Sequence, residues 1–259
     1  MTIPLPSAAV LIATLLSVHG LRKGSLSPNG ALTAFFVGYL SFSGGSWVFG
    51  AALTGFYLAG SRATKYGKKQ KTKLEDGYQE AGYRSGWQVL SNSAAGVLAT
   101  FLWNTIFVPS SLHAKIAKSL GLNVPEALGL TAVPSYDRGP NGWCPIEREG
   151  YSKVLLFAVL GHFSCCLGDT LASELGILSR SQPRLITTFR KVPAGTNVAS
   201  VVGGAFVGLV MGMCLVLENS KCALNASGVL VDTIAWGCLG GGFGSLARPS
   251  NSFGAWVQC

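Results

Sequence analysis

Residues 198–217 have the sequence VASVVGGAFVGLVMGMCLVL, a run of twenty residues without a charge. A helix needs about 20 mostly apolar residues to cross the hydrocarbon core of a bilayer. Six more stretches are similarly apolar: approximately 3–21, 30–44, 46–61, 88–109, 153–172 and 229–247. The sequence therefore predicts an all-α fold, a polytopic membrane helix bundle of about seven transmembrane helices, in a single domain over residues 1–259.

The stretches 30–44 and 46–61 are short and rich in glycine, and they meet at Ser43-Gly44-Gly45-Ser46. Because so short a connection leaves room only for a turn, we expect a tight helical hairpin. The first stretch, 3–21, has neither a basic start nor a small-residue cleavage site. We therefore expect it to be a retained helix rather than a signal peptide.

The composition agrees with a membrane protein. Charged residues make up 12% of the chain, against roughly 25% in an average globular protein, and 49% of residues are hydrophobic. So few charges cannot cover a water-soluble surface, which excludes a soluble enzyme, a disordered chain and a coiled coil. The net charge is +9, and seven of the 20 basic residues cluster in one polar segment, 62–84. That clustering is typical of a cytoplasmic loop, so we expect no nucleic-acid partner.

The charges also predict a topology. With a lumenal N-terminus and a cytoplasmic C-terminus, the basic parts of the chain all fall on the cytoplasmic side: Arg22, Lys23, 62–87, 173–197 and Arg248. The sequon Asn225-Ala226-Ser227 then lies on the lumenal side, where glycosylation occurs. We expect an integral protein of the endoplasmic reticulum or another endomembrane.

The cysteines and histidines do not indicate a metal or nucleophile site. Seven cysteines lack metal-ligand spacing, and three histidines are scattered along the chain. Neither a zinc site nor a Cys/His nucleophile is supported. Cys144 and Cys222 both fall on the predicted lumenal side, and the sequence leaves open whether they form a disulfide.

Two carboxylates occur at the end of the fifth apolar stretch, in Gly168-Asp169-Thr170-Leu171-Ala172-Ser173-Glu174. A carboxylate in hydrocarbon costs several kcal/mol unless it meets a cation, a polar cavity or a partner. One interpretation is that Asp169 and Glu174 bind a divalent cation, most naturally Mg²⁺, which takes oxygen ligands. The alternative is a helix end at the interface, with Asp169 as the N-cap of a following helix.

The spacing of the two acids limits the first interpretation. On a continuous helix, residues 169 and 174 lie about 140° apart around the axis, whereas Asp169 and Ser173 share a face. Joint coordination by Asp169 and Glu174 therefore requires a helix break, for which Gly168 is the natural place, or a second helix that meets them.

Three other polar clusters fall on the same predicted side. Residues 183–197 combine basic and hydroxyl side chains with a Gly-Thr-Asn turn before the sixth apolar stretch, as an anionic phosphate chain requires. This segment is not a Walker A loop, and an ordinary cytoplasmic turn is the alternative. Residues 22–31 form another cluster, and 80–92 form the last.

In the last cluster, Gln88 and Asn92 share one helix face, although amides in membrane helices also serve merely to join helices. Together the four clusters indicate a polar cytoplasmic pocket against the bilayer. Such a pocket suits a substrate with a phosphorylatable head and a lipid tail.

From about Gly20 to Ser245 the chain resembles the transmembrane protein 19 family, also known as domain of unknown function 92. The resemblance rests on these motifs: Lys23-x-Ser25-Leu26-Ser27-x-x-Gly30-Ala31, Ser61-x-x-Thr64-Lys65, Gln88-Val89 with Asn92, Gly168-Asp169-Thr170-x-Ala172-Ser173-Glu174, Pro183-Arg184-Leu185-Ile186-Thr187-Thr188, and Val192-Pro193-x-Gly195-Thr196-Asn197.

The resemblance implies an activity. A plant member of the family is a kinase of phytyl phosphate, and the glycine–aspartate pattern is distantly similar to CTP-dependent polyprenol kinases. By that resemblance Asp169 and Glu174 would hold Mg²⁺ and, with Lys191, form the catalytic set. The residues expected to contact substrate or nucleotide are Lys23, Ser25, Ser27, Lys65, Gln88, Asn92, Ser173, Arg184, Thr187, Thr188, Gly195, Thr196 and Asn197.

The C-terminal sequence departs from the family pattern. After Gly240-Gly241-Gly242-Phe243-Gly244-Ser245 the family has an Asp-Ser pair, and here Leu246-Ala247-Arg248 takes that place. We expect a chain that is truncated or divergent after about residue 245, and this departure puts metal binding in question.

Two functions remain open at this point. The first is a kinase that uses CTP or ATP to phosphorylate an isoprenoid alcohol or an isoprenyl monophosphate at the cytoplasmic face. The alternative is a non-enzymatic membrane carrier or scaffold, or an inactive truncated family member. Intramembrane carboxylates are common in transporters as well as in lipid enzymes.

Overall fold

The computed structural model describes residues 5–67, 83–139, 142–147, 150–176, 178 and 199–246. Within these residues the secondary structure is helical, and the only strand-like pairing is a parallel bridge between Leu26 and Arg84. The helices are α1 (Leu5–Arg22), α2 (Pro28–Phe42), α3 (Val48–Lys65), α4 (Gly86–Ser91), α5 (Ala94–Phe107), α6 (Leu112–Ser119), α7 (Val124–Ala127), α8 (Tyr151–Gly176), α9 (Ala199–Glu218), α10 (Ser220–Leu224) and α11 (Ala226–Leu246). The predicted all-α helix bundle is confirmed.

Each of the seven apolar stretches contains at least one of these helices. By length and hydropathy alone, α8 and α9 are able to cross a membrane, over Tyr151–Leu175 and Ser200–Glu218. Helices α5 and α6 pass the same test as a pair, but they are bent by 89° at the break between them. Of the described helices, then, two or three qualify on these criteria, and the figure of seven crossings stays a prediction.

The expected hairpin is present. Helices α2 and α3 are joined by residues 43–47, and Gly45 N donates to the side chain of Asn104 on α5 at 2.7 Å. A side chain at Gly44 would collide with the same amide. The glycines of this turn therefore allow Asn104 to bind the backbone of the hairpin directly.

The stretch predicted as one helix over 88–109 is divided. Ser85 opens α4 with a capping box, in which Ser85 N donates to Gln88 Oε1 at 2.8 Å. Helix α4 ends at Ser91, and α5 starts two residues after Asn92. The hydroxyl of Ser93 donates back to Val89 O at 2.7 Å, which gives the chain a local alternative to continuing the helix.

Polar contacts gather at two ends of the bundle. At the first, which we call the Arg84 end, residue 84 pairs with Leu26, and Lys65 Nζ donates to Lys23 O at 3.0 Å. At the second, the disulfide end, Cys144 and Cys222 are bonded, with their Cα atoms 4.9 Å apart. The pairing that the sequence left open is thus present, and it joins the connection before α8 to α10.

The connection between α5 and α8 closes the disulfide end. Tyr136 and Trp143 pack against Trp103, with ring centroids 5.1 and 6.4 Å from the Trp103 ring. Trp103 Nε1 donates to Ser152 Oγ at 3.0 Å, and Asn219 Nδ2 donates to Trp143 O at 3.1 Å. This polar, Pro- and Gly-rich segment is therefore part of the packed structure.

Glycines hold α8, α9 and α11 together. A methyl group added at Gly168 would lie 2.9 Å from the carbonyl oxygens of Gly241 and Ser200, and one added at Gly204 would overlap the carbonyl of Gly237. Contacts this close exist only because these positions lack a Cβ. Small residues at helix interfaces allow such backbone approach in membranes, where packing supplies much of the association energy. We call this interface the glycine seam.

The glycine seam predicts a position-dependent effect of one methyl group. We expect Gly204→Ala to destabilise the fold by about 1–3 kcal/mol, because the new Cβ has to displace the Gly237 backbone. Thermal unfolding of the purified protein in detergent checks this expectation.

The matched control is Gly161→Ala in α8, where a Cβ would meet no other atom within 4 Å. That variant should be at least as stable as the parent, since alanine is the better helix former. Equal unfolding temperatures for the two variants would contradict the close backbone packing in the glycine seam.

Candidate functional site

The backbone of Arg84 is fixed beside the start of α2. Ser27 N donates to Arg84 O at 3.0 Å, and Arg84 N donates to Ser25 O at 3.2 Å. A side chain at Gly30 would collide with the Arg84 carbonyl. The glycine in the first turn of α2 therefore permits the chain before α4 to lie directly against it.

The guanidinium of Arg84 reaches across to α3 and α8. Its Nη1 donates to Ser61 Oγ at 3.2 Å. A Cβ placed on Gly60 would lie 3.6 Å from both Arg84 Nη2 and Thr170 Cγ2, so the cation occupies the space beside this glycine. Arg84 thus connects three helices at one end of the bundle.

Two neighbouring groups interact electrostatically with this cation. Burial lowers the pKa of Arg84 from its ordinary value, while Tyr57 and the carboxylate of Glu174 act in the opposite direction. An arginine keeps its charge in proteins despite such shifts. The arrangement is a half-buried permanent cation next to the second carboxylate of the predicted site.

Asp169 and Glu174 belong to one uninterrupted helix, α8. The helix has no break at Gly168, which was the first of the two conditions for joint coordination, and this glycine packs against Gly241 and Ser200 in the glycine seam. The alternative of Asp169 as an N-cap is wrong, since it lies well inside α8. Asp169 is buried, with 7% of its surface exposed, and Glu174 is half-buried.

Because α8 is continuous, joint coordination of Mg²⁺ by the two acids requires a second helix that meets them. They point to different faces of a continuous helix. The hydroxyls of Thr170 and Ser173 donate to helix carbonyls, at 2.8 Å to Cys166 O and 2.9 Å to Asp169 O. Among the described residues no group of three His, Cys, Asp or Glu side chains could hold a metal. Magnesium therefore stays a prediction.

The serines of the 22–31 cluster are engaged within the chain. Ser25 Oγ, 4% of whose residue surface is exposed, donates to Gly20 O at 3.1 Å and lies 3.2 Å from Tyr57 Oη. Ser27 caps α2 by accepting from Gly30 N at 3.0 Å, and it also bonds the side chain of Asn29. The hydrogen bonds of these two serines therefore stabilise the backbone at the Arg84 end.

The basic and amide residues of the predicted site lie at the same end. Lys23 and Lys65 are exposed and joined through the Lys23 carbonyl. Gln88 completes the capping box of α4, and the carbonyl of Asn92 lies 3.1 Å from His162 Nε2 on α8. Three of the four polar clusters therefore converge around Arg84.

The fourth cluster lies in 179–198, outside the described residues. It contains the predicted residues Arg184, Thr187, Thr188, Lys191, Gly195, Thr196 and Asn197.

The sequence placed Arg84 in the basic segment 62–84 and in the polar cluster 80–92, but it did not single out Arg84, Tyr57 or Ser61 as site residues. One signal was available: Ser85-x-x-Gln88 is a capping-box pattern that starts a helix at residue 86. An arginine directly before an N-cap is held close to the bundle.

Comparison with known proteins agrees with a membrane protein. A family model described as "Integral membrane protein DUF92" matches residues 11–259. Protein PGR of Arabidopsis thaliana is 30% identical over 96% of this chain and 78% of its own length. The uncharacterized membrane protein sll0875 of Synechocystis sp. is 25% identical over 90% of this chain and 75% of its own length.

A second Arabidopsis thaliana protein, named "Protein VTE6, chloroplastic", is 24% identical over 71% of this chain and 44% of its own length. No solved structure matches the chain.

The position of Arg84 predicts that its loss destabilises the protein more than the loss of Arg62. We expect Arg84→Ala to lower the free energy of unfolding by about 1–2 kcal/mol, because it removes a charged hydrogen bond to Ser61 and the cation beside Glu174. Chemical denaturation in mixed micelles measures the change.

Arg62→Ala is the control, since Arg62 is exposed at the end of α3. Its effect should stay within about 0.5 kcal/mol. An Arg62→Ala variant as destabilised as Arg84→Ala would contradict the special position of residue 84.

Proposed function

Since the chain belongs to the integral membrane protein DUF92 family, we propose that it is a nucleotide-dependent kinase. Its substrate would be an isoprenoid alcohol or an isoprenyl monophosphate, and its phosphoryl donor CTP or ATP. The proposal takes its chemistry from the family resemblance described above, which implies kinase activity on phytyl phosphate in a plant member.

The observation that carries the proposal is the position of Arg84. Its guanidinium lies beside Ser61 and Thr170, within electrostatic range of Glu174, where three polar clusters meet. Phosphoryl transfer needs positioning and neutralisation of phosphate charge more than covalent help from the protein. A fixed guanidinium also offers the paired N–H donors that suit phosphate oxygens.

The fourth cluster would complete the site. The described residues place the end of α8 and the start of α9 on either side of 177–198. In the proposal Arg184, Thr187, Thr188 and Lys191 contact the nucleotide phosphates, and Gly195, Thr196 and Asn197 form the turn before α9. Lys23 and Lys65 add positive charge at the same end.

The transfer step involves an oxygen of the substrate, which attacks the terminal phosphorus of the nucleotide. The bond from that phosphorus to its bridging oxygen breaks, the nucleoside diphosphate leaves, and an alcohol substrate releases its proton. We assign the reception of that proton to the Asp169 carboxylate. Mg²⁺, if bound, would neutralise phosphate charge, with Asp169 and Glu174 as its proposed ligands.

The proposed orientation puts the Arg84 end in the cytoplasm, with a lumenal N-terminus and a cytoplasmic C-terminus, in the endoplasmic reticulum or another endomembrane. One feature supports it. Disulfides persist in oxidising compartments, which suits a lumenal position for Cys144 and Cys222. Nucleotides such as CTP and ATP would then approach the opposite end.

A non-enzymatic carrier or scaffold is the second candidate. It is favoured by the hydrogen bonds that Ser25, Ser27 and Gln88 make within the chain, because such contacts also serve only to join helices. Nucleotide protection separates the candidates: a ligand that binds only the folded state raises the unfolding temperature.

The proposal predicts Mg²⁺-dependent transfer of a radioactive phosphate from CTP or ATP to farnesol, farnesyl phosphate or phytyl phosphate by the purified protein. Asp169→Asn should reduce transfer by about 100-fold or more, as loss of a catalytic electrostatic group does. Thin-layer separation of labelled lipid measures the product.

Asp232→Asn is the matched control, because Asp232 is an exposed acid on α11. It should leave transfer unchanged. Absence of transfer and of nucleotide protection in the parent protein would overturn the kinase proposal in favour of the carrier or scaffold. Full activity of Asp169→Asn would overturn the site assignment alone.

A further inference from the structure

Residues of helices α1–α4 and their connections line a half-open cavity of about 70 Å³ at the Arg84 end. This is several times the roughly 10–15 Å³ that one water molecule needs. Most of its wall is apolar, with Ala13 and Leu16 on α1, Val37 on α2, and Leu53 and Phe56 on α3. Such walls suit hydrocarbon.

One end of the cavity is polar. Arg84 lines it together with Tyr57, Gln88 and Asn92. Because the guanidinium is permanently charged, the polar end attracts an anionic group, while the remaining wall excludes one. The cavity therefore has the polarity of an amphiphile with a negative head and an apolar chain.

Two hydroxyls on the wall lack hydrogen-bond partners. Ser17 Oγ and Thr54 Oγ1 are buried and unbonded, and both residues line the cavity. Only 6% of the surface of Ser17 is exposed. A buried hydroxyl without a hydrogen-bond partner destabilises the fold, and an occupant with an oxygen at this depth would relieve that cost.

The positions of these hydroxyls fit the junction of head and chain. Ser17 lies about one turn of α1 from Gly20, whose carbonyl accepts from Ser25, and Thr54 lies about one turn of α3 from Tyr57. Both therefore stand next to the polar end, where the first oxygen of an alcohol or a phosphate ester meets its hydrocarbon.

We propose that this cavity binds a single-chain amphiphile, with its phosphate-bearing head at Arg84 and its hydrocarbon chain between α1, α2 and α3. The assignment rests on the proposed function only for the isoprenoid nature of the chain. The cavity gives the lipid substrate a binding place that Arg84 lines and α8 does not, while the same cation interacts electrostatically with Glu174 of the proposed phosphoryl-transfer residues.

Photolabelling tests the cavity directly. The probe is farnesyl phosphate with a diazirine in its terminal isoprene unit, added to the purified full chain without nucleotide. We expect labelled peptides from the cavity walls of α1, α2 and α3, and competition by unmodified farnesyl phosphate. Labelling confined to outward-facing residues such as Leu32 and Phe36, without competition, would overturn the proposal.

Removal of the unpartnered hydroxyls gives a second test. The double variant Ser17→Ala, Thr54→Val should be at least as stable as the parent without ligand, yet bind farnesyl phosphate about fivefold or more weakly, because two hydrogen bonds are lost. Thr14→Val is the control, since Thr14 is exposed on α1 and bonds Val10 O. Equal affinity for both variants and the parent would contradict the role of the hydroxyls.

A filled cavity should block the probe. Ala34→Phe adds a ring to a cavity-lining position of α2, and Leu32→Phe adds one to its exposed face. The first should reduce labelling at least about fivefold and the second should not. Equal competition by phosphatidic acid vesicles would identify a bilayer lipid as the occupant and overturn the single-chain assignment.

The two proposals fail in different ways. Phosphate transfer together with diffuse labelling would overturn the cavity and leave the kinase. Specific labelling without transfer would overturn the kinase and leave the cavity as an amphiphile site.

Discussion

Helices α8, α9 and α11 touch along their backbones at positions where only glycine fits, such as Gly168 against Gly241 and Gly204 against Gly237. In a bilayer the lipid tails are as apolar as the side chains, so burial of apolar surface gives little drive for helices to associate. Close packing between the helices must therefore supply the free energy of association. The rest of the molecule depends on this constraint, because α8 is both a member of the glycine seam and the carrier of Asp169 and Glu174.

The glycine seam determines how α8 presents Asp169 and Glu174 to the rest of the molecule. The backbone of α8 is held against α9 and α11 on one side, and its side chains Leu167 and Thr170 meet α3 beside Arg84 on the other. Because α8 continues without a break through residue 168, its two acids face different surroundings. Glu174 acts electrostatically on the Arg84 cation, and Asp169 is buried within electrostatic range of Cys166. Their environments differ although their sequence positions suggest a pair.

The sequence predicted the helices well, because apolar length and turn chemistry determine them locally. The hairpin at 43–47 follows from its glycines, and the helical class from the apolar stretches. Prediction from the sequence failed at residues whose role depends on contacts between distant parts of the chain. Gly168 was considered only as a place where the helix could break, whereas in the structure it allows close approach between helices. Arg84 was counted as one loop charge among several, because the positive-inside rule does not separate a cation held against the bundle from its exposed neighbours.

The anchoring of Arg84 also has a consequence for chain length. Tyr66 N closes the end of α3 by donating to Arg62 O at 2.9 Å, and residue 84 is tied to Ser25 and Ser27 by two backbone bonds. Hydrogen bonds between described residues thus hold both boundaries of the intervening stretch 68–82. A longer closed loop costs only about 0.6 kcal/mol for each doubling of its length. A reporter domain or affinity tag inserted there should leave the bundle assembled, which makes this stretch the natural point for labelling the protein in cells.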